Sequence, residues 1–107
     1  MKKEYSIVIT TYPNKNKANK IARNLVENKL AACVQIMPME SFYNWKGKLQ
    51  QDKEFILFIK TKASIYTRLV KYLLEKHSYE TPEIIEIPIE RGLAAYFSWI
   101  DENVERG

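Results

Sequence analysis

Residues 41–61, SFYNWKGKLQQDKEFILFIKT, constrain the architecture more than any other segment. Lys46-Gly47 predicts a turn, and a long strand is predicted from Lys48 to Thr61 after an extended arm from Ser41 to Trp45. Together with residues before it, this segment predicts a hairpin of about a dozen residues per side, against a usual strand length of about 5–6. Such a hairpin extends beyond the core of a small domain.

The second arm of this hairpin is apolar on both of its faces. Side chains alternate along a strand, so Phe55, Leu57 and Ile59 share one face. The opposite face carries the remaining central residues, namely Glu54, Ile56, Phe58 and Lys60. Helices of the same chain can cover only one of these faces. The other must meet something else, and a second copy of the chain is the simplest candidate, so we expect an oligomer.

The residues before the hairpin predict a strand, a helix and another strand. Tyr5–Tyr12 is rich in β-branched and aromatic residues and is followed by Pro13, which predicts a strand. A helix is predicted next, with Asn14 or Asn16 as its N-cap. Its apolar residues recur at helical spacing: Ala18, Ile21, Ala22, Leu25 and Val26. Ala31–Met39 predicts a strand interrupted at Pro38, since proline indicates a bulge or an edge.

The residues after the hairpin predict a helix, a strand and a second helix. The first helix is expected from about Ser64, as N-cap, to about His77. A strand is predicted over Glu83–Ile89, with one face formed by Ile85, Ile87 and Ile89. A short amphipathic helix then carries an apolar stripe that is spare in a plain domain of this kind: Leu93, Tyr96, Phe97 and Ile100. The predicted order is therefore βαββαβ with an added C-terminal helix, a ferredoxin-like sandwich of the α+β class.

Length and composition limit the possible functions. The 107 residues fit a single domain over 1–107, and the net charge of +4 is only mildly basic. No run approaches the roughly 18 apolar residues of a membrane span, and no long apolar region follows the basic N-terminal residues. The single Cys33 excludes an internal disulfide. We therefore expect a cytoplasmic protein without a membrane partner.

Nucleic-acid binding and catalysis are both disfavoured by the motifs. The RNA recognition motif shares this element order but needs a glycine and two aromatics on one face of its third strand. Here Phe55 and Phe58 fall on opposite faces and no glycine precedes them. Cys33 lies in an apolar strand without an adjacent base, and three glycines do not make a phosphate-binding loop. We expect neither a nucleic-acid partner nor enzymatic activity.

The only histidine of the chain lies in residues 75–85, EKHSYETPEII. Carboxylates and a phenol lie close to His77 in this segment. Because imidazole is a suitable ligand for copper, nickel or zinc, one interpretation is a metal site. His77 could equally be a catalytic base or a histidine placed at a helix C-terminus by the helix dipole. The residues alone do not distinguish a metal ligand, a catalytic base and a helix-terminal histidine.

Several segments together resemble one protein family. They are residues 31–38 (AACVQIMP), 41–48 (SFYNWKGK), Glu54 with Lys60-Thr61, 77–83 (HSYETPE) and 96–100 (YFSWI). These long, ordered motifs resemble the CutA family of divalent-cation tolerance proteins, and the resemblance extends from about Tyr5 to Ile100.

The resemblance implies a PII-like homotrimer whose hairpins pair between subunits. It also implies tolerance to divalent metals, copper above all, with no required cofactor and no established catalysis. His77 matches the family histidine and is the candidate ligand for Cu(II) or another divalent cation. Lys76 stands where some members have a second histidine, and Thr10 and Thr11 where some have a cysteine. Further matching residues are candidates for clefts between subunits: Tyr43, Trp45, Glu54, Lys60, Tyr79, Glu83 and Trp99.

Two alternatives accompany the metal-tolerance hypothesis. A PII-like sensor would hold a small anionic metabolite in the clefts, with Lys60 contributing to its binding. A signalling scaffold would bind neither metal nor metabolite. In all three hypotheses the cleft residues either bind a ligand or lock the hairpin through aromatic packing and hydrogen bonds.

Overall fold

A computed structural model describes residues 4–106, so residues 1–3 and 107 of the predicted single domain lie outside it. Its elements follow in this order: β1 (Tyr5–Tyr12), α1 (Lys15–Glu27), β2 (Cys33–Trp45), β3 (Lys48–Lys62), a 3-10 turn (Ala63–Ile65), α2 (Tyr66–Lys76), β4 (Ile84–Pro88) and α3 (Ala94–Asn103). The strands form one sheet in the order β2-β3-β1-β4, and every pair is antiparallel. The α+β class and the predicted element order are confirmed.

The hairpin of β2 and β3 pairs without interruption from Cys33 opposite Lys60 to Trp45 opposite Lys48. Its turn residues Lys46 and Gly47 both have positive φ, 51° and 78°, as a two-residue type I′ turn requires. The predicted interruption at Pro38 is wrong, whereas the edge position that this proline also indicated is confirmed. Because β2 is an edge strand and pairs on one side only, it can contain a residue whose nitrogen donates no hydrogen bond.

The hairpin gives the molecule an elongated shape. The principal extents are 44 × 28 × 22 Å and the radius of gyration is 14.5 Å. A compact chain of this length would have a radius of gyration of about 13 Å. Apolar side chains near the far end of the hairpin remain open to solvent, with Phe42 64% and Leu49 74% exposed. The predicted projection of the hairpin past the core is confirmed.

The core lies between the helices and one face of the sheet. Helix α1 begins after Asn14, whose side chain accepts a hydrogen bond of 2.7 Å from the backbone N–H of Lys17, so this N-cap is confirmed. The largest fully buried apolar side chains of the core come from the strands, the helices and the 3-10 turn: Val8, Tyr12, Leu25, Leu57, Ile59, Ile65, Leu69, Leu73 and Ile100. Burial of Leu57 and Ile59 identifies the helix-covered face of β3.

The start of α2 differs from the prediction. Ser64 lies within the short 3-10 turn and caps nothing, and α2 begins at Tyr66 without a side-chain cap. The turn buries Ile65 completely. The apolar contact of Ile65 therefore fixes the approach to the helix, where a serine cap was expected.

The last strand and helix are also placed differently from the prediction. Strand β4 ends at Pro88, so Ile89 lies beyond it, while Ile85 and Ile87 point away from the helix layer and are 48% and 44% exposed. The predicted apolar stripe of the last helix is not wholly spare. Its Ile100 is fully buried and Phe97 packs on the core, whereas the outward residues remain exposed: Leu93, Tyr96 and Trp99.

Candidate functional site

His77 directly follows α2, and its ring turns inward onto β1. The imidazole stacks on Tyr12 with 4.3 Å between ring centroids, and its Nε2 lies 3.1 Å from the hydroxyl oxygen of Thr10. The backbone N–H of Tyr79 donates to Nδ1 over 3.2 Å. Since Nδ1 accepts this bond, the neutral ring carries its proton on Nε2 and donates it towards Thr10.

The environment of His77 favours this neutral form. Burial is the main cause that lowers the pKa of His77, and the charge of Lys17 acts in the same direction. A hydrogen bond to the Thr11 backbone and the charge of Glu54 oppose the shift without cancelling it. Neutral imidazole is the form that binds metal ions. The ring is therefore in the protonation state that a metal ligand needs.

Glu54 is held by two hydroxyl groups. Thr11 Oγ1 donates to Oε2 of Glu54 over 3.0 Å, and the Tyr79 hydroxyl donates to the same oxygen over 2.8 Å. Burial and this hydrogen bond raise the pKa of Tyr79, so its hydroxyl stays protonated and remains a donor. Two donors on one oxygen fix the orientation of the carboxylate.

Tyr79 links the two faces of the sheet. Alternation along β1 puts Thr10 and Tyr12 on the helix-covered face and Thr11 on the other, and Thr11 contacts Glu54 there. The backbone of Tyr79 contacts His77 on the first face, while its hydroxyl reaches Glu54 on the second. His77 and Glu54 are therefore neighbours of Tyr79 on opposite sides of the sheet end.

A cleft of about 620 Å³ opens on the side of Glu54, between the hairpin and the turn that follows α2. It is lined by Thr11, Ser41, Phe42, Tyr43, Trp45, Gln50, Glu54, Tyr79, Glu80, Thr81 and Glu83. We name it the hairpin cleft. It brings together five of the predicted candidates: Tyr43, Trp45, Glu54, Tyr79 and Glu83.

Three predicted candidates do not line the hairpin cleft. Lys60 lies further along β3, with its ammonium 5.7 Å from the ring centroid of Tyr96. Trp99 stacks on Tyr96 at 5.6 Å between centroids. Tyr79 separates His77 from the cleft, and the ring centroids of His77 and Tyr79 lie 5.2 Å apart. The candidates therefore divide between the hairpin cleft, the surface of α3 and the helix-covered face.

Sequence reasoning missed several residues of the cleft. Ser41, Tyr43 and Trp45 lie on one face of β2 because side chains alternate along a strand. The same alternation would have added Ser41 to the predicted candidates Tyr43 and Trp45. Thr11 could have been found in the same way, since β1 pairs with β3 and places it beside Glu54. No local pattern indicates that Glu80 joins the cleft, because its turn is irregular.

The lining residues of the hairpin cleft carry negative charge. Glu54, Glu80 and Glu83 are among them, and none of the lining residues is a lysine, arginine or histidine. Such a lining attracts cations and repels anions. Because Lys60 is elsewhere, the hypothesis of an anionic metabolite held in the cleft is not favoured.

A complete coordination shell is not assembled among the described residues of this chain. Within residues 4–106, no three or more His, Cys, Asp or Glu side chains are grouped so that they could hold a metal ion. Cys33 is a partly exposed free thiol. His77 stays a candidate ligand that requires further donors.

None of the helices in residues 4–106 is both long enough and apolar enough to span a bilayer.

Comparison with known proteins identifies the family. The family model described as CutA1 divalent ion tolerance protein matches residues 6–103. The divalent-cation tolerance protein CutA of Archaeoglobus fulgidus is 43% identical over 94% of this chain and 99% of the relative. A CutA homolog of Xenopus laevis is 46% identical over 92% of this chain, which spans 66% of that relative.

Solved structures agree with the sequence comparison. A periplasmic divalent cation tolerance protein CutA from Archaeoglobus fulgidus superimposes with a TM-score of 0.92 at 42% identity, covering 94% of this chain and 99% of that chain. CutA1 from Oryza sativa gives a TM-score of 0.94 at 37% identity, covering 97% of this chain and 96% of that chain. These descriptions name no reaction. The chain therefore belongs to the CutA1 family of divalent ion tolerance proteins.

Proposed function

We propose that this protein contributes to divalent-cation tolerance by binding the cations themselves, with copper(II) preferred and His77 as the imidazole ligand. The observation that supports this most directly is the half-buried His77 ring, which its surroundings keep neutral beside a turn rich in carboxylates. Copper(II) favours imidazole nitrogen. Coordination requires one ring nitrogen to exchange its present contact, with Thr10 or with the Tyr79 backbone, for the metal.

We further propose that a homotrimer completes this site, because one subunit lacks a second imidazole or thiolate near His77 within residues 4–106. Closed symmetry can bring ligands of several copies to one ion. The exposed apolar residues support association: they occupy the hairpin (Phe42, Leu49), the open face of β4 (Ile85, Ile87) and the outer side of α3 (Tyr96, Trp99). Both edge strands, β2 and β4, have an unpaired side within the described chain.

Light scattering coupled to gel filtration tests the assembly. A trimer has three times the chain mass of 12.6 kDa. A monomeric mass at micromolar concentration would contradict the proposal. Replacing the exposed Ile85 by aspartate should lower the mass if the open sheet face lies at the interface, since a buried unpaired charge opposes association.

Calorimetric titration with copper(II) tests the ligand. His77→Ala should bind copper(II) more weakly than the wild type, whereas Glu27→Gln, an exposed change at the end of α1, should bind it equally. His77→Asn also removes both ring nitrogens but keeps a polar side chain that can form hydrogen bonds. Equal copper affinity in the wild type and both His77 variants would remove His77 as a ligand.

The cellular location is a separate proposal. We propose the cytoplasm, where a reducing environment keeps the free thiol of Cys33 from oxidation. The Archaeoglobus fulgidus relative is described as periplasmic and an Arabidopsis thaliana relative as chloroplastic, so the described location differs between members of the family. Cell fractionation with an antibody against this protein tests the proposal, and recovery outside the cytoplasm would contradict it. We also propose that the protein is not an enzyme.

A further inference from the structure

We infer that His77 binds the divalent cation through Nδ1, and that Thr10 is the positioning residue that holds the other ring nitrogen. The inference rests on the proposed binding of cations at His77. It goes further because it selects one of the two ring nitrogens and assigns a role to a buried threonine. Three features of the structure support it: the position of the ring proton, the burial around Nε2 and the open turn at Nδ1.

The hydrogen bonds of His77 place its ring proton on the side of Thr10. The backbone N–H of Tyr79 can only donate, so Nδ1, 3.2 Å away, supplies the lone pair. In the neutral ring the proton then lies on Nε2, and the hydroxyl oxygen of Thr10 accepts it over 3.1 Å. A metal ion needs a ring nitrogen that carries a lone pair, and in this tautomer that nitrogen is Nδ1.

The surroundings of Nε2 disfavour a metal ion there. Thr10 has no exposed surface, and neither has Tyr12, whose ring stacks on the imidazole at 4.3 Å between centroids. An ion at Nε2 would have to displace the Thr10 hydroxyl inside the core, where water cannot complete its coordination. In the part of the chain from residue 4 to 106, no group of three His, Cys, Asp or Glu side chains could replace that water.

Nδ1, in contrast, faces the turn after α2. Ser78 and Glu80, on either side of Tyr79, are exposed, and residues 78–83 form neither helix nor strand. An ion that takes the place of the Tyr79 N–H at Nδ1 removes one hydrogen bond from this turn, and water can replace that bond. The open side of the ring also allows water or a second subunit to supply the remaining ligands.

Thr10 fixes the direction in which Nδ1 points. A histidine that binds metal almost always donates its other ring N–H to a fixed acceptor, and loss of the acceptor lowers metal affinity by about 10–100-fold. Thr10 is a rigid acceptor because it is fully buried on β1, which lies between β3 and β4. The stacked ring of Tyr12 holds the imidazole plane, and the Thr10 contact determines which edge of the ring faces the turn.

Pulsed electron paramagnetic resonance with copper(II) tests which nitrogen binds. Because His77 is the only histidine of the chain, protein without a histidine tag can be labelled with a nitrogen isotope at Nδ1 alone or at Nε2 alone. A nitrogen bound directly to copper couples strongly to its electron spin, and the remote ring nitrogen couples weakly. The sample labelled at Nδ1 should show the strong coupling.

The two possible contradictions of this experiment have different meanings. Strong coupling in the sample labelled at Nε2 would overturn the inference and leave His77 as a ligand. Coupling to neither nitrogen would overturn the inference together with the proposed function. Nitrogen NMR of the metal-free protein adds an independent check, since the proton should lie on Nε2 of the neutral ring, and a proton on Nδ1 would also overturn the inference.

Calorimetric titration with copper(II) tests the role of Thr10. Thr10→Val should lower the copper affinity about tenfold, and Thr10→Ser, which keeps the hydroxyl, should restore most of it. Thr61→Val is the matched control, because Thr61 is also a fully buried strand threonine. Its hydroxyl donates to the carbonyl of Leu30 over 2.8 Å, and it pairs with Ser6, towards the other end of β1 from Thr10. Thr61→Val should therefore keep the wild-type affinity.

An equal loss of affinity in both valine variants would show that a missing buried hydroxyl acts through general stability, and it would overturn the role of Thr10. Unchanged copper affinity in Thr10→Val would overturn it as well. Variants are compared where light scattering gives the wild-type mass. The measurement on the isotope-labelled wild type needs no variant, so it decides the binding nitrogen even if Thr10→Val does not fold.

Discussion

Replacing Tyr12 by phenylalanine should stabilise the folded protein. Tyr12 has no exposed surface, and its hydroxyl has no hydrogen-bond partner among residues 4–106. The ring itself stacks on His77 and packs in the core. Phenylalanine keeps the ring and its stacking and removes only the unpaired hydroxyl.

The magnitude follows from the cost of that hydroxyl. A buried polar group without a partner costs about 1–3 kcal/mol. Removing it leaves a small void, which costs part of what is gained. We therefore expect the free energy of unfolding to rise by about 1 kcal/mol at neutral pH, about a fivefold change in the unfolding equilibrium.

The effect should also depend on pH. Burial raises the pKa of Tyr12 from 10.0 to about 12. Above about pH 10 the phenol of Tyr12 ionises in the unfolded chain but not in the folded chain. The free energy of unfolding of the wild type is therefore unaffected by this ionisation below about pH 10 and falls as the pH rises towards 12. Phenylalanine cannot ionise, so the advantage of Tyr12→Phe over the wild type should increase through this window. The other tyrosines are common to both proteins and cancel in the difference.

Urea unfolding of both proteins at matched concentration measures the effect. The midpoint for Tyr12→Phe should be higher at neutral pH with an unchanged slope, and the gap should widen near pH 11. A lower midpoint, with a gap that does not change with pH, would refute the reasoning. That result would mean that the hydroxyl makes a favourable hydrogen bond in the folded protein.

Three further substitutions have expected outcomes. Tyr79→Phe should lower the free energy of unfolding by about 1 kcal/mol in urea, because Glu54 loses a donor, and an increase would contradict the role of that bond. Asn14→Ala should cost about 1 kcal/mol in the same assay through loss of the α1 N-cap; Asn16→Ala is its control and should cost less. Gly92→Ala should lower the melting temperature, since its Cβ would lie 2.5 Å from Cζ of Phe97, and an unchanged melting temperature would show that the ring moves freely.

The family resemblance indicated part of the site, and strand geometry explains why those residues lie together. Tyr43 and Trp45 lie on β2, and Glu54 lies on β3, whose antiparallel pairing with β2 follows from the turn at Lys46-Gly47. The family resemblance made these residues candidates for clefts between subunits, and within the described chain they line one cleft. Lys60 shares the face of Glu54 by alternation, but the rise along a strand of roughly 3.3 Å per residue carries it away from the cleft.

The amino-acid pattern was sufficient for the order of the elements, the long hairpin and the two apolar faces of β3, because periodicity and turn residues act over a few neighbouring positions. Only the folded chain could decide which side chains meet. Tyr79 contacts Glu54 across 25 positions of sequence, and Thr10 contacts His77 across 67. No local pattern encodes contacts over such separations, since they depend on how the irregular turn after α2 passes the end of the sheet. That path puts His77 on one face of the sheet and the carboxylates of the hairpin cleft on the other.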